Sequence, residues 1–177
     1  MKKSLVATIF CCAAILSARD IADNLDKAAI GSKMIPGWTI NKVGKAADYG
    51  KSEIVVGSEP DDKALKLIAP AKRYVAVYMQ TSTPVRNGDF LEFSADVKGK
   101  GTVTFAYYTY NAKDRFIGVP VSRKTITLTN SWTEVKCKLP IKNTTGDKAV
   151  ARIRPCITLS AGGELLIEDI DLEIDND

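Results

Sequence analysis

In Phe90-Leu91-Glu92-Phe93-Ser94-Ala95-Asp96-Val97 apolar and polar residues alternate without a break from Leu91 on. Successive side chains of a strand point to opposite faces, so the stretch predicts a strand with Leu91, Phe93, Ala95 and Val97 toward a core and Glu92, Ser94 and Asp96 away from it. The same period of two runs outward in both directions. It marks candidate strands at 38–43, 52–57, 64–69, 74–80, 90–97, 102–110, 124–128, 132–139, 150–159 and 164–174. Between them fall Pro60-Asp61-Asp62, Asn87-Gly88-Asp89, Gly99-Lys100-Gly101, Asn130-Ser131, Thr145-Gly146-Asp147 and Gly162-Gly163, each suited to a turn. Short strands and turns at this spacing predict an all-β sandwich or barrel. A length of 177 residues with no repeat or linker predicts a single domain.

The N-terminal residues follow another logic. Lys2 and Lys3 precede an apolar run from Leu5 to Leu16, then small Ser17 and Ala18 and charged Arg19 and Asp20. That is the layout of a secretory signal peptide, residues 1–18, with an apolar run too short for a transmembrane segment. Residues 19–35 read as a tether or short helix, with Ile21, Leu25 and Ala28 or Ala29 at helical spacing, and residues 36–177 as the β-domain. The expected location is secreted: extracellular, periplasmic or at the cell surface. Across the full chain 25 Lys and Arg face 21 Asp and Glu. Loss of residues 1–18 removes two lysines and no acid, leaving a charge of +2 and no basic cluster of the kind that binds nucleic acid. Two of the four cysteines then remain, Cys137 and Cys156. Export makes one disulfide between them the first expectation. Alternation opposes it, placing Cys137 inward with Val135 and Leu139 and Cys156 outward, unless a bulge at Pro155 turns it.

Sorting the other strands by face leaves an aromatic surface away from the core. Val75, Val77 and Met79 alternate with Tyr74, Ala76, Tyr78 and Gln80; Val103, Phe105 and Tyr107 alternate with Thr104, Ala106, Tyr108 and Tyr110. Ala151, Ile153, Ile157 and Leu159 face inward, which turns Arg152, Arg154 and Thr158 outward if Pro155 causes no bulge. Tyrosines on an outer face either pair across strands or contact a ligand. A cluster of four beside two arginines suits a ligand, because Tyr and Arg each join a flat surface to a polar tip. Trp38 and Trp132 start strands and are expected to seal the ends of the core.

Four segments taken in order, Phe90 to Gly99, Ser131-Trp132-Thr133-Glu134-Val135, Ala151-Arg152-Ile153-Arg154 and Leu166-Ile167-Glu168-Asp169-Ile170-Asp171-Leu172, resemble the second half of a jelly-roll carbohydrate-binding module of the galactose-binding-like type. Gly37-Trp38-Thr39 resembles its opening strand, and the likeness covers residues 36–174. The resemblance implies a jelly-roll β-sandwich of two antiparallel sheets. It places 74–80, 150–159, 102–110 and 124–128 in one sheet, with 150–159 between 74–80 and 102–110. Tyr74, Tyr78, Gln80, Tyr108, Tyr110, Arg152 and Arg154 would then form a ligand-binding face for a polysaccharide or oligosaccharide. An edge-loop site at Trp38 or Arg115-Phe116 is the other placement the resemblance allows. It also implies one structural Ca2+, with Glu168 and Asp169 as ligands supported by Asp61 and Asp62.

An enzyme is not expected. The chain has no histidine, which excludes Ser-His-Asp and Cys-His machinery. Glu92 and Asp96 on one strand stand about 13 Å apart by strand rise, too far for a glycosidase pair. The expected function is a non-catalytic glycan binder, with an exported surface or assembly protein that makes protein contacts as the alternative.

Overall fold

The computed structural model describes residues 19–21, 24–41, 49–119, 122–142 and 149–176; the expected signal peptide lies outside them. The strands are β1 (Arg19–Asp20), β2 (Trp38–Ile40), β3 (Lys51–Val56), β4 (Lys63–Ile68), β5 (Val75–Met79), β6 (Thr83–Pro84) and β7 (Phe90–Lys100). They continue with β8 (Thr102–Tyr110), β9 (Phe116–Gly118), β10 (Lys124–Thr127), β11 (Thr133–Pro140), β12 (Arg152–Leu159) and β13 (Glu164–Asp175). Every strand expected from alternation is present, and β1, β6 and β9 are additional short ones. The strands form two antiparallel sheets, one ordered β11-β7-β13-β4-β3 with β1 beside β13, the other β10-β8-β12-β5-β2 with β6 and β9 at its margin. This is the jelly-roll β-sandwich. In the second sheet β12 lies between β5 and β8, as the resemblance implies.

Alternation decides the core. Leu91, Phe93, Ala95 and Val97 of β7 are at most 3% exposed, and Val103, Phe105 and Tyr107 of β8 are fully buried. Phe93 and Phe105, one from each sheet, meet at 4.8 Å between ring centroids and join the two inner faces. The Tyr107 hydroxyl, the one polar atom in that β8 set, donates to the Pro140 carbonyl at 2.7 Å, so its burial leaves no orphaned donor. Between β7 and β8 the chain passes from one sheet to the other at Gly101, whose φ of 97° favours glycine. A Cβ there would also stand 2.7 Å from Ser160 Oγ.

Three readings are sharpened. Among the described residues of 19–35, expected as a tether or short helix, β1 pairs with β13, a single 3-10 turn spans Leu25–Lys27, and Ile21, Leu25 and Ala28 lie in the core. Trp38 is buried, but Trp132 is only half-buried, with Lys98 Nζ 5.9 Å from its ring centre. Pro155 makes no bulge, since β12 keeps one register against β8 from Arg152 to Leu159. It falls where β12 has no partner on the other side, between β6 at Arg152–Ile153 and β5 at Cys156–Leu159. A residue without an N–H therefore removes no ladder bond there.

No helix of the described residues is long and apolar enough to cross a membrane.

Candidate functional site

Seven short sequences build the second sheet, and none contains Asp or Glu. Acids are placed in the strands of the first sheet, where lysines answer them: Lys66 meets Glu164 at 2.8 Å, Lys136 meets Glu134 at 2.6 Å, and Lys138 bridges Glu92 and Asp175. The outer face of the second sheet is aromatic and hydroxyl-bearing instead. Its register aligns Arg152 with Tyr110, Arg154 with Tyr108, and Cys156 with both Tyr78 and Ala106. Tyr78, Tyr108, Tyr110, Arg152 and Arg154 therefore share this face, although they do not share one role.

One end of the face is closed on itself. The Arg154 guanidinium lies 4.4 Å above the Tyr110 ring and donates through Nη2 to Asp114 Oδ2 at 3.1 Å. Arg152 donates from Nε to Ser82 Oγ at 2.7 Å and from Nη2 to the Ser82 carbonyl at 2.9 Å. Ser82 Oγ donates in turn to Asp114 Oδ1 at 2.7 Å. That hydrogen bond, aided by both arginines, holds the Asp114 carboxyl below its ordinary range. Phe116 caps the cluster at 5.8 Å from Tyr110 and 5.9 Å from Tyr108, and is itself 59% exposed. Tyr110 is left only 8% exposed. Expected as a ligand contact, it is packed beneath Arg154 and Phe116, while the guanidiniums expected to meet sugar hydroxyls already serve Asp114 and Ser82.

The other end is open. Tyr74 is 62% exposed. Tyr78 and Tyr108 stand edge to face at 5.3 Å, a favoured aromatic geometry. The Tyr108 hydroxyl is hydrogen-bonded to the Asn41 side chain, and burial, with a contribution from Cys156, pushes its pKa up to about 12. Asn41 follows β2, whose Thr39 is the partner of Tyr78, so the hydrogen bond ties the edge of the sheet to its centre. Beyond it a cavity of about 480 Å3 is lined by Asn41, Gly50, Lys72, Arg73, Tyr74, Ala76 and Ala161. Gln80 is exposed just past the end of β5 and turns back, its Nε2 donating to the Trp38 carbonyl at 3.4 Å.

The disulfide is not formed. Cys137 and Cys156 are free thiols in different sheets. Cys156 points outward as its parity requires, yet it is 1% exposed beside Tyr78, and burial raises its pKa to about 12. Cys137 sits half-buried on the edge strand β11, where burial raises it to about 11.

The calcium ligands are also separated by the backbone. Between Glu168 and Asp171 the register of β13 against β7 shifts, and Asp169 takes a φ of 49°. The shift buries Glu168 to 2% and leaves Asp169 exposed. Glu168 Oε2 accepts the Ser58 N–H at 2.8 Å, and a Cβ on Gly57 would lie 2.2 Å from that same oxygen. The carboxylate thus latches the loop after β3. Burial, then Asp62, Asp96 and Asp26, raises the Asp169 pKa. Among the described residues no three acidic or sulfur side chains converge as a metal site.

Sequence reasoning missed Asn41, Ser82 and Asp114 as members of this face, and named Phe116 as part of an edge loop apart from it. The parity of Asn41 with Thr39 was available as a signal; Ser82, Asp114 and Phe116 come from loops and short strands that carry no periodicity.

No protein-family model matches the chain, and no curated protein matches it. Solved structures share its fold. The CBM22-1 xylan-binding domain of Paenibacillus barcinonensis Xyn10C aligns over 93% of this chain and 99% of its own, with TM-score 0.60 and 9% identity. A Stig cyclase from Fischerella sp. TAU aligns over 90% and 99%, with TM-score 0.62 and 7% identity. An arabinose-bound α-L-arabinofuranosidase aligns over 90% of this chain with TM-score 0.62 and 13% identity, and the chain spans 27% of that protein. The chain thus resembles jelly-roll carbohydrate-binding modules in fold.

Proposed function

We propose that the protein is an exported, non-catalytic carbohydrate-binding protein that holds a glycan at the open end of the second sheet. The observation that carries this reading is Tyr78 of β5 meeting Tyr108 of β8 across β12, with Tyr74 just before β5 lining a cavity of about 480 Å3. A sugar ring presents an apolar C–H face and a rim of hydroxyls. Aromatic rings cover the first, while Asn41 and the tyrosine hydroxyls suit the second. A fold shared with a xylan-binding domain supports the same reading. The fold is also shared with enzymes, so the argument against catalysis rests on side chains. Glycoside hydrolysis commonly uses two carboxyls about 5 to 10 Å apart. The strands of this sheet supply none, and Asp114 is held in ion pairs at the closed end.

Affinity electrophoresis of the parent and of a Tyr78→Ala/Tyr108→Ala variant, in gels containing a panel of plant and bacterial polysaccharides, tests the proposal. At least one polysaccharide should retard the parent and not the variant. Unchanged retardation of a folded variant would remove these tyrosines from the site, and free migration of the parent in every gel would end the glycan reading.

A further inference from the structure

At the closed end the Phe116 ring stays in solvent although its setting is rigid. The turn before it is held from inside: Asn111 Oδ1 accepts the Lys113 and Arg115 N–H groups at 3.0 Å each, and the Asn111 N–H donates to the Arg115 carbonyl at 3.0 Å. Asp114 ties the same turn to Arg154 of β12 and to Ser82. Phe116 stands opposite Tyr110 in the pairing of β9 with β8, so both rings belong to one face of the sheet. A scattered exposed phenylalanine calls for no explanation. This one continues a row. The backbones of β5 and β8 flank β12, about 10 Å apart by strand spacing, yet Tyr78 and Tyr108 lean together over β12 until their centroids are 5.3 Å apart. Phe116 adds the next ring at 5.9 Å from Tyr108. The row thus crosses β5, β12, β8 and β9, with Tyr108 between its two ends.

We infer that the glycan site continues from Tyr78 and Tyr108 onto Phe116, and that its ligand is a chain of several sugars laid across the strands. No single sugar ring reaches both ends of the row, because Tyr108 lies between them; successive rings of one chain do. Asp114 completes the second position. A carboxylate has about four acceptor sites on its two oxygens, and Ser82 and Arg154 use one on each. Its side chain is still 48% exposed, so the remaining sites can accept sugar hydroxyls beside the ring. The network that closes this end thereby fixes both the ring and the acceptor before a ligand arrives, which lowers the ordering cost of binding. The inference rests on the proposal that this face binds a glycan, and it narrows the ligand to one recognised over several units.

The test measures, by calorimetry, affinities for monomers through hexamers prepared from xylan, from pectic galactan and from any further polysaccharide of the gel panel that retards the parent. The proteins are the parent, Phe116→Ala, Phe116→Leu, Phe116→Trp and Tyr78→Ala/Tyr108→Ala, with melting midpoints confirming that each is folded. For the parent, affinity should rise about tenfold between dimer and tetramer, the scale of one added aromatic contact. Phe116→Ala and Phe116→Leu should lose that rise, the second while keeping apolar cover over Tyr108 and Tyr110, and Phe116→Trp should keep it. Tyr78→Ala/Tyr108→Ala should weaken binding at every length. Affinity that does not grow with length, or a rise that survives in Phe116→Leu, overturns the inference while the glycan site stands. Free migration of the parent in every gel, with no oligosaccharide bound, overturns both.

Discussion

The two ends of one sheet face are made of the same residue types and do opposite things. At the closed end Tyr110 and two arginines turn inward on Asp114 and Ser82, and the guanidiniums engage a carboxylate, a hydroxyl and a ring within the chain. At the open end Tyr78 and Tyr108 meet edge to face, and Tyr74, whose ring stands out in solvent, borders a cavity. Among the described residues, the closed end differs by a carboxylate that a loop delivers. Asp114, at a φ of 55° in the turn before β9, supplies the acid that the sheet itself lacks. Tyr and Arg on an exposed strand face therefore do not announce a ligand site by composition. The deciding question is whether a loop brings them a counter-charge.

The sharpest way to break this contrast is to truncate one tyrosine at each end. Tyr110→Ala should lower unfolding free energy by about 3 kcal/mol, as for a large buried ring, while Tyr74→Ala should change it by less than about 0.5 kcal/mol. Equal values in urea titrations would show that both ends are packing. Arg154→Ala should come next. Loss of its contact with the Tyr110 ring alone is worth about 1 kcal/mol, and the variant should melt lower than the parent. A smaller effect belongs to alkali. Burial raises the pKa of Tyr107, Tyr108 and Tyr110, so these phenols should ionise late in an ultraviolet titration. A raised tyrosine pKa favours the folded, protonated form; for Tyr108 that contribution is complete below pH 10 and is lost as pH climbs to about 12. In acid the sign reverses. The depressed Asp114 carboxyl contributes fully above its ordinary pKa of 3.8 and loses its contribution as pH falls through its lower folded value. Asp114→Asn should therefore flatten the acid limb of the stability profile. Least affected of all should be the melting midpoint in calcium against chelator, which is expected to stay within about a degree because Glu168 is occupied by the Ser58 N–H. A clear rise with calcium would show that Asp169 and its acidic neighbours gather around an ion.

How much of this could be read from residues alone differs by element. The long strands were legible because alternation is local: the buried set Leu91, Phe93, Ala95 and Val97 follows from eight consecutive letters. Parity even put Arg152, Arg154 and Cys156 on the correct face, since Pro155 keeps the register. Exposure was less legible. Parity gives a direction, but Cys156 points outward and is still buried by its neighbours, and Tyr110 points outward and is covered by Phe116 and Arg154. The partners that cover them arrive from sequence-distant loops, and loop paths follow from turn geometry rather than from period. The same limit hid the shift in β13, where one additional residue at Asp169 separates Glu168 from the acid beside it.

The pairing of β1 with β13 has a mechanical meaning. Arg19 faces Ile174 and Asp20 faces Glu173, antiparallel, so the chain enters and leaves the sandwich at the same end of that ribbon. A force drawing residues 19 and 175 apart would open these two rungs in succession, like a zipper, instead of loading them together in shear. Tension applied through both flanks would first peel away the β1 ribbon. The tyrosine face, on the opposite sheet, would feel that load only after the edge had yielded.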